Sequence, residues 1–227
     1  MSNPRQRRAK APPAAKPVFF FSYSRVPAGG GGDLADPIAE QRQFFYDLNH
    51  AVNQLLPIPA GDPIGFMDTG LEAGVNWNAE LLHNLNSASV FVALISARYV
   101  KLSRWCPMEW DYFARRKVAT RAGTPPRPNA TAILPVIWAP VDGPLPPVIT
   151  AVQHFELRSA AVLPQHRTLY LAEGVLGMQK YHEGHGAYDA VVWALAREIQ
   201  IKANALEVRP SPKKTTTGLR RSFWTGA

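Results

Sequence analysis

The chain has 227 residues, 46% of them apolar, and a formal net charge of +8; that length supports one domain with tails and a core that needs neither metal nor disulfide. No apolar run approaches the roughly 18 residues of a membrane-spanning helix. The basic Met1–Lys16 segment lacks the apolar stretch of about 7 to 15 residues that a secretory signal carries, and a single cysteine, Cys106, excludes an internal disulfide and fits a reducing cytoplasm.

The charge sits at the ends. Residues 1–17 and 206–227 hold ten basic residues against the single acid Glu207, which leaves a nearly neutral body. Residues 1–16 and 206–227 therefore read as disordered basic tails around a domain at 17–205. Nucleic acid is disfavoured as a partner, because no base-reading motif accompanies the charge.

Val18 to Ser22 follows Pro17 as a short aromatic run and predicts a buried first strand. The Gly29–Gly32 run after it has no Gly-Lys-Ser/Thr and reads as a connection rather than a phosphate loop. Asp36-Pro37 opens a helix whose apolar positions Ile38, Phe44, Phe45, Leu48, Val52 and Leu55 share one face, and which ends by Pro57. Ile64–Met67 predicts a second strand. Trp77, Leu81, Leu82 and Leu85 mark a second helix, Val90–Ile95 a third strand, Trp105–Val118 a third helix and Ala132–Trp138 a fourth strand. His154–Leu157 is a candidate fifth strand and Ala187–Ala203 a final helix, while Arg158–Gly186 has no secure assignment. This alternation predicts an α/β fold, a parallel sheet of about five strands with helices on both faces. In such a sheet the ligand crevice lies beyond the carboxyl ends of the strands, where Ser22–Arg25, Asp68–Gly74 and Ser96–Glu109 should converge.

Those three segments resemble TIR domains. Phe19-Phe20-Phe21-Ser22-Tyr23-Ser24-Arg25 is similar to the first TIR strand with its Phe-x-Ser-Tyr signature. Gly65-Phe66-Met67-Asp68, then Gly70 to Gly74 and Trp77, resembles the second strand and its loop. Val90 to Ser96, followed by Tyr99, Ser103, Trp105, Cys106 and Glu109, resembles the third strand and the start of the next helix. From Phe19 to about Ile201 the chain resembles the FxsC-type TIR-like proteins of actinobacteria, on Gly65–Asp68, Tyr170–Leu176 and the helix after Tyr188. It departs from a minimal TIR domain in the 118–132 loop and the 158–186 insertion. The resemblance implies a flavodoxin-like fold and, in many TIR domains, cleavage of NAD+ between nicotinamide and ribose. It equally implies a non-catalytic module that forms a homo-oligomer through TIR surfaces or docks a partner protein.

Nicotinamide leaves a cationic pyridinium as a neutral molecule, so its departure needs no general acid of the kind O-glycosidases use. One carboxylate can hold the ribose hydroxyls and stabilise the oxocarbenium-like charge. The resemblance assigns that role to Glu109, four residues after Trp105 and so on the same helical face; spacing alone reads as a core tryptophan and a solvated glutamate. Arg25 either contacts pyrophosphate or ribose or makes a surface ion pair. Ser22 and Tyr23 either line the pocket or satisfy turn backbone. Asp68 reads mainly as a structural acceptor, Trp77 as core or stacking platform, and Ser103 as a cap of the Trp105 helix or a ligand contact. NAD+ enters as substrate, and no cofactor is expected. The glycines of the Asp68–Trp77 segment suggest a lid ordered by self-association. Cys106 reads as a packed thiol rather than a nucleophile, and His182 and His185 lack the helical spacing of a zinc site.

Overall fold

Three consecutive phenylalanines in a strand can all be buried only with apolar layers on both sides, because successive side chains point to opposite faces. A computed structural model, which describes residues 16–25, 36–69, 79–123, 130–158, 162–180, 185–212 and 215–224, puts them in that setting. Strand β1 (Phe19–Ser22) is buried throughout and lies between β2 (Gly65–Met67) and β3 (Val90–Ile95); beyond β3 comes β5 (Ile133–Ile137). All three pairings are parallel, with Phe20 opposite Phe66 on one side and Phe91 on the other. The placement of β1 and β3 side by side within the sheet is the one the alternation predicts.

The faces separate by residue parity. Phe19, Phe21, Val90, Val92, Leu94, Leu134 and Val136 pack with α1 (Ala39–Leu55), α6 (Pro164–Lys180) and α7 (His185–Ala205). Phe20, Phe91, Ala93, Ile95 and Ile133 face α2 (Ala79–Ser87), α3 (Ala97–Lys101) and α4 (Cys106–Ala114). Two remaining pieces complete the order: β4 (Val118–Thr120), and α5 (Pro147–Thr150) after β5. The fold is thus α/β, a parallel sheet flanked by helices, as in flavodoxin-like TIR folds.

Among the described residues the sheet has four strands, where about five were expected. The segment at 154–157 does run beside β5, and the Phe155 amide donates to the Pro135 carbonyl at 2.9 Å. The ladder goes no further. Pro135 has no N–H to offer on that edge, and the next outward amide, Ile137, donates to the Tyr170 hydroxyl at 2.9 Å. Helix α6 thereby fills much of the segment that had no assignment. Its kink at Gly174 (φ 64°) brings backbone so close to Trp138 that a Cβ there would lie 2.6 Å from the Trp138 carbonyl oxygen.

Two corrections concern the third predicted helix and the C-terminal tail. The helix stops at Ala114, and β4 pairs antiparallel with β6 (Leu206–Val208), a partner remote in sequence. Arg116 is buried between them and donates to the carbonyls of Leu85, Ala88, Val208 and Arg209. Burial lowers its pKa to about 10, so it stays charged at neutral pH. Residues 206–212 and 215–224, within the 206–227 segment expected as a disordered basic end, instead pack as a strap across the domain, held also by paired bonds between Asn86 and Ser211. The strap ends on Phe223, only 1% exposed, against Tyr99 and Trp110. The N-terminal tail, residues 1–15, lies outside the described residues.

Because Phe223 fills a closed aromatic cluster, Phe223→Ala should cost about 3 to 5 kcal/mol of stability, as large-to-small changes in cores do. Denaturant unfolding checks this; a loss below about 1 kcal/mol would mean that the strap is not docked in solution.

Candidate active site

The strand order reverses between β1 and β3, and in open α/β sheets such a switch point, beyond the carboxyl ends of the strands, is where ligands bind. Ser22 is the last residue of β1 and shares the parity of Phe20, so its side chain faces the α3 and α4 layer. After β3, Ser96 caps α3 by accepting the Tyr99 amide at 3.2 Å. The chain then turns into α4, where Pro107 occupies the first turn and Ser103 accepts the Cys106 amide at 3.1 Å. That bond satisfies the amide of the first residue of α4. It fixes the start of the helix whose first turn carries Glu109.

Glu109 is 8% exposed, and its Oε2 accepts the Ser22 hydroxyl at 2.6 Å. Ser22 is in turn 3.0 Å from the hydroxyl of Tyr99. A serine hydroxyl has one hydrogen, already given to the carboxylate, so Tyr99 donates to Ser22. Burial pushes the Glu109 carboxyl from 4.5 up to about 7, against the Ser22 hydrogen bond that pulls it down; more distant Asp68 raises it and Arg25 lowers it. Cys106, one turn away, donates to the Tyr23 carbonyl at 3.4 Å, and burial holds its thiol well above its ordinary value. That is the reverse of an activated nucleophile.

A second group flanks the first. Arg25 pairs with Asp68 at 2.5 Å and also donates to the Asp68 carbonyl, which accepts the Tyr23 hydroxyl at 2.7 Å. This ties the loop after β1 to the end of β2. Burial raises the Tyr23 phenol to about 12, with Arg25 opposing, so it remains a donor. Trp105 begins α4 and is 41% exposed, while Glu109 one turn on is buried. The indole lies at the surface and the carboxylate inside. Trp77, and residues 70–77 of the segment expected to form a lid, lie outside the described residues, as does His182. Among the described residues no group of three or more His, Cys, Asp or Glu is placed to hold a metal ion, and no helix is long and apolar enough to cross a membrane.

The neighbour that residue-by-residue reading left without a role is Tyr99. The available signal was a serine directly after a buried strand with tyrosine three residues later, the register of a capped helical turn.

Residues 59–167, a little under half of the chain, match the family model described as TIR domain. That stretch is similar to a TIR domain. The match spans β2 through the first turn of α6, so it takes in Asp68, Ser103, Trp105 and Glu109. It leaves out Ser22, Tyr23 and Arg25, which the structure brings to the TIR-matching half by pairing β1 with both β2 and β3. No curated protein and no solved structure matched the chain.

Because Glu109 binds its proton more tightly when folded, the domain gains stability from it in acid and loses that gain as pH rises from about 4.5 through 7. Glu109→Gln should therefore be close to neutral at pH 5 and stabilising by up to about 3 kcal/mol at pH 8. Thermal melts at both pH values check this; a variant destabilised equally at both would show that the carboxylate is not buried at a cost.

Proposed function

We propose that the TIR domain is an NAD+ glycohydrolase in which Glu109 is the catalytic residue. The observation that supports this reading most is the single buried carboxylate at the switch point, close to neutrality in its titration and held by a hydroxyl from the neighbouring strand. The reaction is NAD+ plus water giving nicotinamide, ADP-ribose and a proton, or cyclic ADP-ribose with no water consumed. Oε2 is engaged by Ser22, so Oε1 accepts the ribose hydroxyls and faces the charge that develops at the anomeric carbon. In a water-poor pocket that attraction is worth more than at the surface. Trp105 at the rim supplies a ring face for nicotinamide or adenine, and Trp77 a second one. Arg25, beside Asp68, is available to the pyrophosphate. Ser22 and Tyr23 line the pocket and Ser103 anchors α4. The substrate is NAD+ and the protein acts as a homo-oligomer in the bacterial cytoplasm, in signalling or defence. Gly65–Asp68, Tyr170–Leu176 and the helix after Tyr188 support a likeness to the FxsC-type proteins.

One observation favours a second reading, a non-catalytic module that self-associates or docks a protein: Glu109 already has a partner in Ser22 and is nearly closed to solvent. Incubation with NAD+ separates the two. The enzyme reading predicts nicotinamide release that Glu109→Gln lowers at least about a hundredfold, the scale for losing one key electrostatic group. Release that survives the substitution would remove Glu109 from the mechanism, and none from wild type at any protein concentration would leave the module.

The active form is the carboxylate, so kcat/KM should rise with pH through about 7 and level off above it. The cationic nicotinamide riboside favours ionisation, so the rise in kcat should lie at lower pH. A profile that instead falls across this range would assign Glu109 the role of a proton donor.

A further inference from the structure

The Ser22–Glu109 bond has something behind it. Tyr99 is fully buried, its hydroxyl 3.0 Å from Ser22 and its ring stacked on Phe223 at 5.5 Å with planes 22° apart. Phe223 also meets Trp110, the residue after Glu109, edge to face at 5.9 Å. The strap that carries Phe223 is fastened to the same helix. The Arg220 amide donates to Asp111 at 2.9 Å, and Arg115, just past α4, donates to the Gly218 carbonyl at 2.8 Å. One C-terminal segment thus grips both α3, which carries Tyr99, and α4, which carries Glu109.

We propose that Tyr99, backed by Phe223 of the C-terminal strap, is a positioning residue that holds the Ser22 hydroxyl on the Glu109 carboxylate. Ser22 has one hydrogen and two lone pairs, and it would rotate freely among acceptors if nothing fixed it. A hydrogen bond received from Tyr99 orients that hydrogen toward Glu109 and polarises the hydroxyl, which strengthens the bond it gives. Phe223 denies the Tyr99 ring the space to swing away. The chain runs Phe223 to Tyr99 to Ser22 to Glu109, so the far end of the sequence sets the geometry of the carboxylate. The inference that this alignment serves catalysis rests on the NAD+ reading, but the alignment itself does not.

The titratable groups around Glu109 are Tyr99 from α3, Cys106 on its own helix, Tyr23 and Arg25 after β1, and Asp68 after β2. Of these, Tyr99→Phe removes one oxygen and no charge at neutral pH. Carbon-13 detected titration of the Glu109 carboxyl in the full chain, assigned by its absence from Glu109→Gln, reads the effect without any need for turnover. A hydrogen bond to the charged form lowers a carboxyl pKa, so weakening it should raise the Glu109 midpoint, by about half a unit or more in Tyr99→Phe. Phe223→Leu, which keeps apolar bulk but loses the stacked ring, should shift it the same way by less. Tyr112→Phe on α4 should leave it in place. If the protein turns over NAD+, Tyr99→Phe should lower kcat about tenfold with KM little changed. A folded Tyr99→Phe protein whose Glu109 titrates as in wild type overturns the proposal. Should that variant fail to fold, Phe223→Leu decides on the same criterion. Wild-type protein that releases no nicotinamide ends the NAD+ reading and leaves the titration as the sole test of the alignment.

Discussion

A carboxylate inside a protein is costly to keep ionised, and the architecture around Glu109 follows from how that cost is met. Three features reduce it. Glu109 lies in the first turn of α4, where the helix dipole favours negative charge. The Ser22 hydroxyl bonds one oxygen. Arg25, held at the rim by Asp68, adds a more distant positive charge. They do not offset burial completely, and the carboxyl is left titrating at about 7. A group poised there exchanges its proton readily, and a cationic ligand arriving beside it draws it into the charged state.

The sheet brings these groups together. Ser22 reaches Glu109 only because β1 lies directly beside β3 and because its parity sends the side chain toward α3 and α4. The opposite layer is built on α1, α6 and α7, and α6 closes the outer edge of β5 where a fifth strand would otherwise pair. The C-terminal strap does the corresponding work on the site's own layer. It joins β4, α2, α3 and α4 through Arg116, Asn86, Asp111 and Phe223, so the helices that carry Tyr99 and Glu109 are packed from outside as well as against the sheet.

What could be read in the sequence was what local pattern determines. The Phe19–Ser22 and Val90–Ile95 runs, bounded by turn residues and buried on both faces, announced their strands to within a residue. The helix after Asp36-Pro37 was equally clear, although its first assigned residue is Ala39, with Asp36 accepting the Ile38 amide. The strand alternation put the segments after β1 and β3 at one end of the sheet, but not the bond between Ser22 and Glu109, 87 residues apart in sequence. Long-range partnership was not legible. Val118 looked like the end of a helix, and Ala119 and Thr120 like the start of a loop, because their partner strand lies at 206–208. Residues 206–224 looked like a tail because composition weighs Lys, Arg, Pro and Thr and gives no weight to where a lone Phe223 finds an aromatic cluster. Pro135, by contrast, was a missed signal: a proline inside a strand marks an edge, and it argued against a fifth strand beside β5.

The central claim, that Glu109 is a buried carboxylate waiting for a cationic substrate, is tested most directly by counting protons when NAD+ binds. Calorimetric titration at pH 7 with a cationic NAD+ analogue whose nicotinamide–ribose bond cannot be cleaved, in buffers of different ionisation enthalpy, reads that number. With Glu109 half protonated in the free protein and ionised in the complex, binding should release about half a proton, and Glu109→Gln should release none. Binding that releases no proton in wild type, or releases the same number in the variant, would contradict the account.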